Sequence, residues 1–298
     1  MIEQFRRRLS TSHWWGLFAL AMVWMGLAVG HSQVVVQRTV AGGIGTVDTV
    51  VGMITGILGF TLVWIGLKKP EDQATLLGYL GGSLIWIGIF EWTWEYFGHW
   101  LALTPIMADD IPILMPGLQM IQSTSLIVIA MLIFLGTNKD TRCRMFMWFH
   151  RNFKLRPGRM TGGYKRQYAR ITAMETVFLI WFIYLCAIVI NDPRLIRYDS
   201  VAAMVITIGF VVWGIYLVTK LMKIRGLGAS LRYAIPTGHI LWLPIEAFSR
   251  WGLYPEIWIK PLEYRVIMSV ILIAFASGAL FIYRSNQQDK SPGSLATA

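Results

Sequence analysis

Residues 201–219 read VAAMVITIGFVVWGIYLVT, nineteen residues without a charged side chain. A run this long and this apolar is typical of a transmembrane helix, because about 20 helical residues cross the hydrocarbon core of a bilayer. Comparable apolar runs recur along the whole chain. The sequence therefore predicts an all-α fold, a polytopic bundle of membrane-spanning helices.

The apolar runs predict about eight transmembrane helices. They lie near residues 14–33, 50–67, 76–103, 111–136, 171–190, 200–222, 233–250 and 265–284. The third run is long enough to tilt or to project beyond the hydrocarbon. The seventh is the least apolar, because Pro236, Pro244, Glu246 and Arg250 interrupt it.

The composition excludes several classes of protein. Of 298 residues, 55% are hydrophobic and 14% are charged, whereas an ordinary soluble domain has about 25% charged residues. A conventional soluble enzyme, a secreted disulfide scaffold and a disordered chain are therefore not expected. The two cysteines, Cys143 and Cys186, are far apart and form neither a disulfide framework nor a CxxC metal motif.

The net charge of +11 is unevenly distributed between the loops. Loops on the cytoplasmic side of a membrane carry an excess of Lys and Arg. With the N-terminus in the cytoplasm, the cytoplasmic segments hold 21 basic residues and the outer segments hold 4. This bias predicts that both termini are cytoplasmic and that the chain is a multi-pass protein of the cell inner (plasma) membrane. It also accounts for the positive charge without a nucleic-acid partner.

The segments outside the spans carry further predictions. The cytoplasmic loop 137–170 combines ten basic residues with aromatic ones, which is typical of a segment that lies on anionic lipid headgroups. The first apolar run has span length and no cleavage site follows it, so we expect a retained signal anchor. Residues 1–284 are predicted to form one transmembrane domain, and the polar tail 285–298 to be disordered.

The densest set of ionisable residues ends the third span, where residues 91–99 read EWTWEYFGH. Glu91, Glu95 and His99 recur every four residues, so they lie on one face of a helix. Two carboxylates and an imidazole on one face suit a divalent or copper ion, or a proton relay. Glu91 and Glu95 are therefore candidate catalytic residues, and His31, Glu95 and His99 are candidate metal ligands. The alternative is a hydrated helix end with no further role.

A second polar pair occurs on the seventh span. His239 and Glu246 are seven residues apart, which places them two turns apart on one helical face. We assign both to the cytoplasmic half of the membrane. The sequence contains no phosphate-binding loop, no GxGxxG, no GxSxG and no HExxH motif, so the function must come from residues such as these.

Part of the chain resembles the membrane (alpha, or A) subunit of particulate methane and ammonia monooxygenases. In that family the first span begins with an aromatic residue and a Leu-Phe pair and ends in His-x-His. A later span ends in Gly-Glu-Trp followed by Arg-Tyr-Phe or Arg-Tyr-Trp, where this chain has Glu95 in place of the arginine. A Pro-Gly then opens the next span. The similar positions here are Trp14, Leu17, Phe18, His31, Glu91, Trp92, Tyr96, Phe97, Pro105, Pro112, Pro116 and Gly117. They lie within residues 14–117, about a third of the chain.

This resemblance implies a membrane subunit of a copper monooxygenase-like complex. It implies copper as the cofactor, other membrane subunits as partners, and a small apolar substrate or ammonia. Two alternatives are open at this point. One is a proton- or cation-coupled membrane transporter, in which the intramembrane carboxylates carry the coupling ion. The other is a non-catalytic membrane subunit of a respiratory-type complex, whose polar groups serve helix packing.

Overall fold

The computed structural model describes residues 14–108, 110–136 and 161–285, together with residues 140, 147, 154 and 159. Within these residues the chain is helical apart from one short β-hairpin and the connecting loops, which confirms the prediction of an all-α fold. The predictions for the tail and for most of the loop 137–170 fall outside the described residues.

The described elements are mainly hydrophobic helices, and short loops join most of them. Their bounds are α1 Trp14–Ala41, α2 Thr46–Gly66, α3 Glu71–Ile85, a π-helical segment Trp86–Glu91, α4 Trp92–Trp100, β1 Ile106–Ala108, β2 Ile111–Leu114, α5 Pro116–Ser123, α6 Ser125–Gly136, α7 Tyr168–Asn191, α8 Val201–Leu221, α9 Leu227–Arg250 and α10 Arg265–Ser285.

Six of the helices in the described parts of the chain are long and apolar enough to cross a membrane. They are α1, α2, α7, α8, α10 and the continuous helix Glu71–Trp100 formed by α3, the π-helical segment and α4. These helices identify a multi-pass membrane protein. They match six of the eight predicted spans, and the fourth and seventh predicted spans differ from them.

The fourth predicted span, 111–136, is not one helix. Its first residues form β2, which pairs antiparallel with β1, and the helix starts only at Pro116, which occupies the first helical turn. Proline is favoured there because the missing N–H has no helical acceptor. A second break separates α5 from α6 at Thr124, whose hydroxyl donates to the Ile121 carbonyl at 2.6 Å.

The seventh predicted span corresponds to α9, which begins six residues earlier than predicted and has 24 residues. Pro236 and Pro244 lie inside it, and each removes a backbone hydrogen bond to the carbonyl four residues earlier. The helix is long enough to cross a bilayer, but its polar residues leave it less apolar than the other six.

Small residues bring α2 against α3 and the π-helical segment. Gly52, Gly56 and Gly59 are buried on α2, and a methyl group added to Gly59 would lie 2.8 Å from the carbonyl oxygen of Gly81. Close approach of backbones over small residues is how membrane helices gain packing energy where the hydrophobic effect is weak.

Polar contacts gather at the two ends of the helix bundle. At one end, called here the Arg232 end, Arg232 of α9 pairs with Glu71 of α3, and Asp72 accepts the Gly228 N–H at 2.7 Å. At the opposite end, called here the Asp192 end, Gln122 donates to Asp192 at 3.1 Å and Ser32 of α1 donates to the Trp258 carbonyl at 3.2 Å. The loops between helices alternate between these ends.

Candidate functional site

A histidine and a glutamate from two helices meet within the bundle, toward the Asp192 end. His31 Nε2 on α1 lies 3.4 Å from Glu246 Oε1 on α9, and the two side chains are 26% and 27% exposed. His31 Nδ1 is 2.8 Å from the carbonyl oxygen of Leu27. A carbonyl only accepts, so Nδ1 carries the hydrogen and Nε2 faces the carboxylate.

Trp242, one turn before Glu246 on α9, holds both members of the His31–Glu246 pair. Its indole N–H donates to Glu246 Oε1 at 2.6 Å. Its ring also stacks on the His31 imidazole, with the ring centroids 5.6 Å apart and the planes inclined by 29°. The pair is therefore fixed in position by a residue that does not titrate.

Glu91 lies beside this pair but has its own partners. It ends the π-helical segment, and its Oε2 accepts from the Trp86 indole N–H at 3.1 Å and from the Tyr184 hydroxyl of α7 at 3.5 Å. Short π-helical turns occur frequently at functional sites. Glu91 and Glu246 both act electrostatically on Tyr184, so α7 connects the two carboxylates.

Glu95 and His99 have surroundings different from those of Glu91. Glu95 Oε1 is 3.6 Å from an Arg38 guanidinium nitrogen, and its carboxylate packs against Gly117. His99 is exposed at the end of α4, and the described residues include no hydrogen-bond or ion-pair partner for its side chain. The structure thus gives each member of the predicted stripe different surroundings.

The described residues contain no group of three or more His, Cys, Asp or Glu side chains placed to hold a metal ion. His31, Glu95 and His99, the candidate metal ligands, are directed to three different places. Within the part of the chain that the structure describes, these side chains do not form a copper site, and copper binding stays a prediction.

The contact between His31 and Glu246 conflicts with our assignment of Glu246 to the cytoplasmic half of the membrane, and it does not test the same assignment of His239. Glu246 contacts His31, whose helix end we assigned to the outer side, and it lies fourteen residues beyond Arg232 on the same helix. At 1.5 Å per residue, that separates the two side chains by about 20 Å along α9. The separation could have been predicted from the sequence, because it follows from the number of residues between Arg232 and Glu246.

A half-enclosed cavity lies beside the His31–Glu246 pair, between α7 and α9. Glu246 forms part of its wall, and the other polar groups on the wall are Asn191 and Arg250. The loop after α9 adds another acid nearby. Burial raises the pKa of Glu256, and the charge of Glu246 raises it further. The cavity is small, about 10 Å³, and it places Glu246 beside Asn191 and Arg250.

The sequence interpretation missed three members of this site. Tyr184, Trp242 and Arg38 lie in apolar runs or at a helix end, and nothing in their spacing relates them to Glu91, Glu246 or Glu95.

No protein-family model matches the chain, and no curated protein and no solved structure is significantly similar to it.

Proposed function

We propose that this chain is a proton-coupled membrane transporter, and that the His31–Glu246 pair is its outer proton site. The observation that carries the proposal is the 3.4 Å approach of His31 Nε2 to Glu246 Oε1 beside a cavity. Ionisable groups inside a membrane are costly, so such pairs typically mark ion and proton pathways.

The proposed topology has eight membrane crossings and cytoplasmic termini, in the cell inner membrane. The alternation of helix ends supports it. The loops after α1, α4, α7 and α9 belong to the Asp192 end, and those after α2 and α8, with the last turns of α10, belong to the Arg232 end. Both α9 and the α5–α6 segment must cross for this alternation to hold. The Asp192 end is then the outer side.

The proton step involves two groups of complementary chemistry. A proton on Glu246 leaves as its O–H bond breaks and the electron pair stays on the carboxylate. An N–H bond forms at the same time on the lone pair of His31 Nε2, giving an imidazolium. The Trp242 N–H stabilises the carboxylate that remains, because hydrogen bonds to charged groups are the strong ones.

The test is proton flux into liposomes that hold the purified full-length chain and a trapped pH-sensitive dye. With a potassium gradient and valinomycin imposing the membrane potential, we expect flux well above that of empty liposomes. Glu246→Gln, which keeps the Trp242 hydrogen bond but cannot ionise, should reduce the flux by about 100-fold. Glu263→Gln is the matched control, because Glu263 is 60% exposed and pairs with Lys260 in a loop.

The outcomes separate a working pair from a structural one. Wild-type flux equal to that of empty liposomes would refute the proposal. Undiminished flux in Glu246→Gln would also refute it, because the pair would then serve helix packing only. That second result would favour the alternative function, a non-catalytic membrane subunit of a respiratory-type complex.

A second candidate is a membrane subunit of a copper monooxygenase-like complex acting on a small apolar substrate or ammonia. One observation favours it: Glu91 acts electrostatically on His31, so two residues that carry the resemblance belong to the same polar network. Copper would then need ligands from other membrane subunits. Copper analysis of the complex that co-purifies with the chain tests this, with His31→Ala expected to lose the metal.

A further inference from the structure

His239 is a buried imidazole with one nitrogen unused. Its side chain is on α9 and the residue is 2% exposed. Nδ1 lies 2.7 Å from the Ile235 carbonyl oxygen, so Nδ1 carries the hydrogen and Nε2 holds a lone pair. Nε2 has no hydrogen-bond partner among the described residues. A buried polar atom without a hydrogen bond destabilises the folded state, so this position calls for an explanation.

The position of His239 on α9 relates it to both polar ends. Arg232, His239 and Glu246 are each seven residues apart, and this spacing places all three on one face of the helix. His239 therefore lies midway between the Arg232 end and the His31–Glu246 pair, about 10 Å along the helix from each. His31 is near enough to act on it electrostatically.

Helices α1 and α3 bring further polar groups to the level of His239. The Trp24 indole of α1 donates to the carbonyl of Gly238 at 3.2 Å, which fixes the level at which the two helices meet. At that level the Tyr79 hydroxyl of α3 donates to the Val23 carbonyl at 3.1 Å. Tyr79 is one helical turn from Thr75, which accepts from Arg232 at 2.8 Å.

A second unpaired buried atom lies on the other side of His239, toward the Asp192 end. The Trp258 indole N–H has no partner among the described residues, and its ring lies 4.6 Å from that of Trp242. Trp242 is three residues after His239 on α9, so the unpaired Trp258 donor and the unpaired His239 acceptor both lie next to this part of α9. Such groups are partners for internal water, since buried waters make about three hydrogen bonds.

We infer that His239 is a proton relay at the midpoint of α9, which connects the His31–Glu246 pair to the Arg232 end through ordered water. This inference rests on the proposed function and extends it to the inner half of the protein. A proton from water forms an N–H bond on the Nε2 lone pair, giving an imidazolium. After the ring turns, that bond breaks to a water on the Arg232 side, and the electron pair returns to Nε2.

The first test uses the liposome assay on His239→Gln, which keeps a polar side chain of similar length but cannot accept a proton at neutral pH. We expect flux to fall by about 100-fold. His99→Gln is the matched control, because it makes the same change at an exposed histidine outside the network, and it should keep wild-type flux.

The results separate this inference from the function on which it rests. Full flux in His239→Gln together with lost flux in Glu246→Gln would overturn the relay and leave the outer proton site standing. Full flux in both variants would overturn both. Lost flux in both, with His99→Gln unaffected, supports the relay.

A second measurement applies to the wild-type chain, in case His239→Gln does not fold. The chain has five histidines, and the four others, His13, His31, His99 and His150, are assigned in nitrogen-15 spectra of the reconstituted protein by replacing each in turn. The remaining signal belongs to His239, and its Nδ1 and Nε2 resonances should exchange while protons flow, because the relay loads Nε2 and the ring then turns. Two resonances that stay sharp and distinct while flux proceeds would overturn the relay.

Discussion

The acids of the Arg232 end and the His31–Glu246 pair use ionisable residues in different ways. At the Arg232 end, acids face groups whose charge or dipole does not change with pH: Glu71 faces an arginine, and Asp72 faces a backbone N–H. Toward the Asp192 end, Glu246 faces a histidine. Arginine stays protonated in proteins, whereas histidine titrates near neutral pH.

This difference separates pairs that hold helices together from pairs that can exchange a proton. A carboxylate paired with arginine keeps its charge over the physiological range and holds two helices together. A carboxylate paired with an imidazole shares a range in which a proton can move between them. Changes at the Arg232 end should therefore affect stability, and changes at the His31–Glu246 pair should affect proton movement.

The largest expected effect tests which end is outside. Alkaline phosphatase, which is active only beyond the inner membrane, should be active when fused after Asp192 and inactive when fused after Asp72 or Lys290. The reason is the bias of basic residues toward the segments that hold the last two positions. Fluorescent-protein fusions at the same sites should give the reverse pattern. An active phosphatase fused after Asp72 would mean that the Arg232 end, and not the Asp192 end, is the outer side.

The next largest effect is on stability at the Arg232 end. Arg232→Met should lower the free energy of unfolding by about 2 kcal/mol, because Glu71 loses its ion pair and the buried Thr75 hydroxyl loses its donor. Thermal unfolding in detergent measures it, with Lys260→Met as the control for loss of an exposed charge. If the protein folds in liposomes, proton flux should change little more than in the control.

The positions of the membrane helices were predictable from the sequence because each depends on a local property, an apolar run of span length. This holds for α8, where no charge occurs before Lys220. It fails for 111–136, because prolines and a threonine that bonds back to its own helix override the apolar composition. There the prolines and the Thr124 hydroxyl determine where the helices begin and end.

The candidate site was predictable only as a set of residue types. Intramembrane Glu91, Glu246, His31 and His239 stand out because charge is costly in lipid. Which of them meet depends on how α1, α7 and α9 pack, and the sequence carries no local signal for that. The predicted stripe illustrates the limit, since a shared helical face leads Glu91 to Tyr184 and Glu95 to Arg38.

A smaller effect is expected from an ion pair in the loop at the Asp192 end. Hydrogen bonds from Arg194 lower the pKa of Asp192 to about 2, against an ordinary value of 3.8. The stabilisation is thus fully present above pH 3.8 and is lost as the pH falls toward 2. Asp192→Asn should cost about 1.5 kcal/mol at neutral pH. Thermal unfolding at several pH values should show a flatter acid limb in the variant, and an unchanged limb would contradict the pairing.

The smallest effect concerns Glu256 and sharpens the description of the cavity. Burial and the charge of Glu246 raise the pKa of Glu256 above its ordinary value of 4.5, so the folded protein favours the protonated acid. Its stability contribution is greatest below pH 4.5 and declines as the pH rises through the raised pKa. Glu256→Gln should therefore raise the unfolding temperature slightly at neutral pH and leave it unchanged in acid. In the Glu246→Gln background the gain should shrink, because one of the two causes of the raised pKa is gone. An equal gain in both backgrounds would mean that the two carboxylates do not interact, and Glu256 would then have no role beside the His31–Glu246 pair.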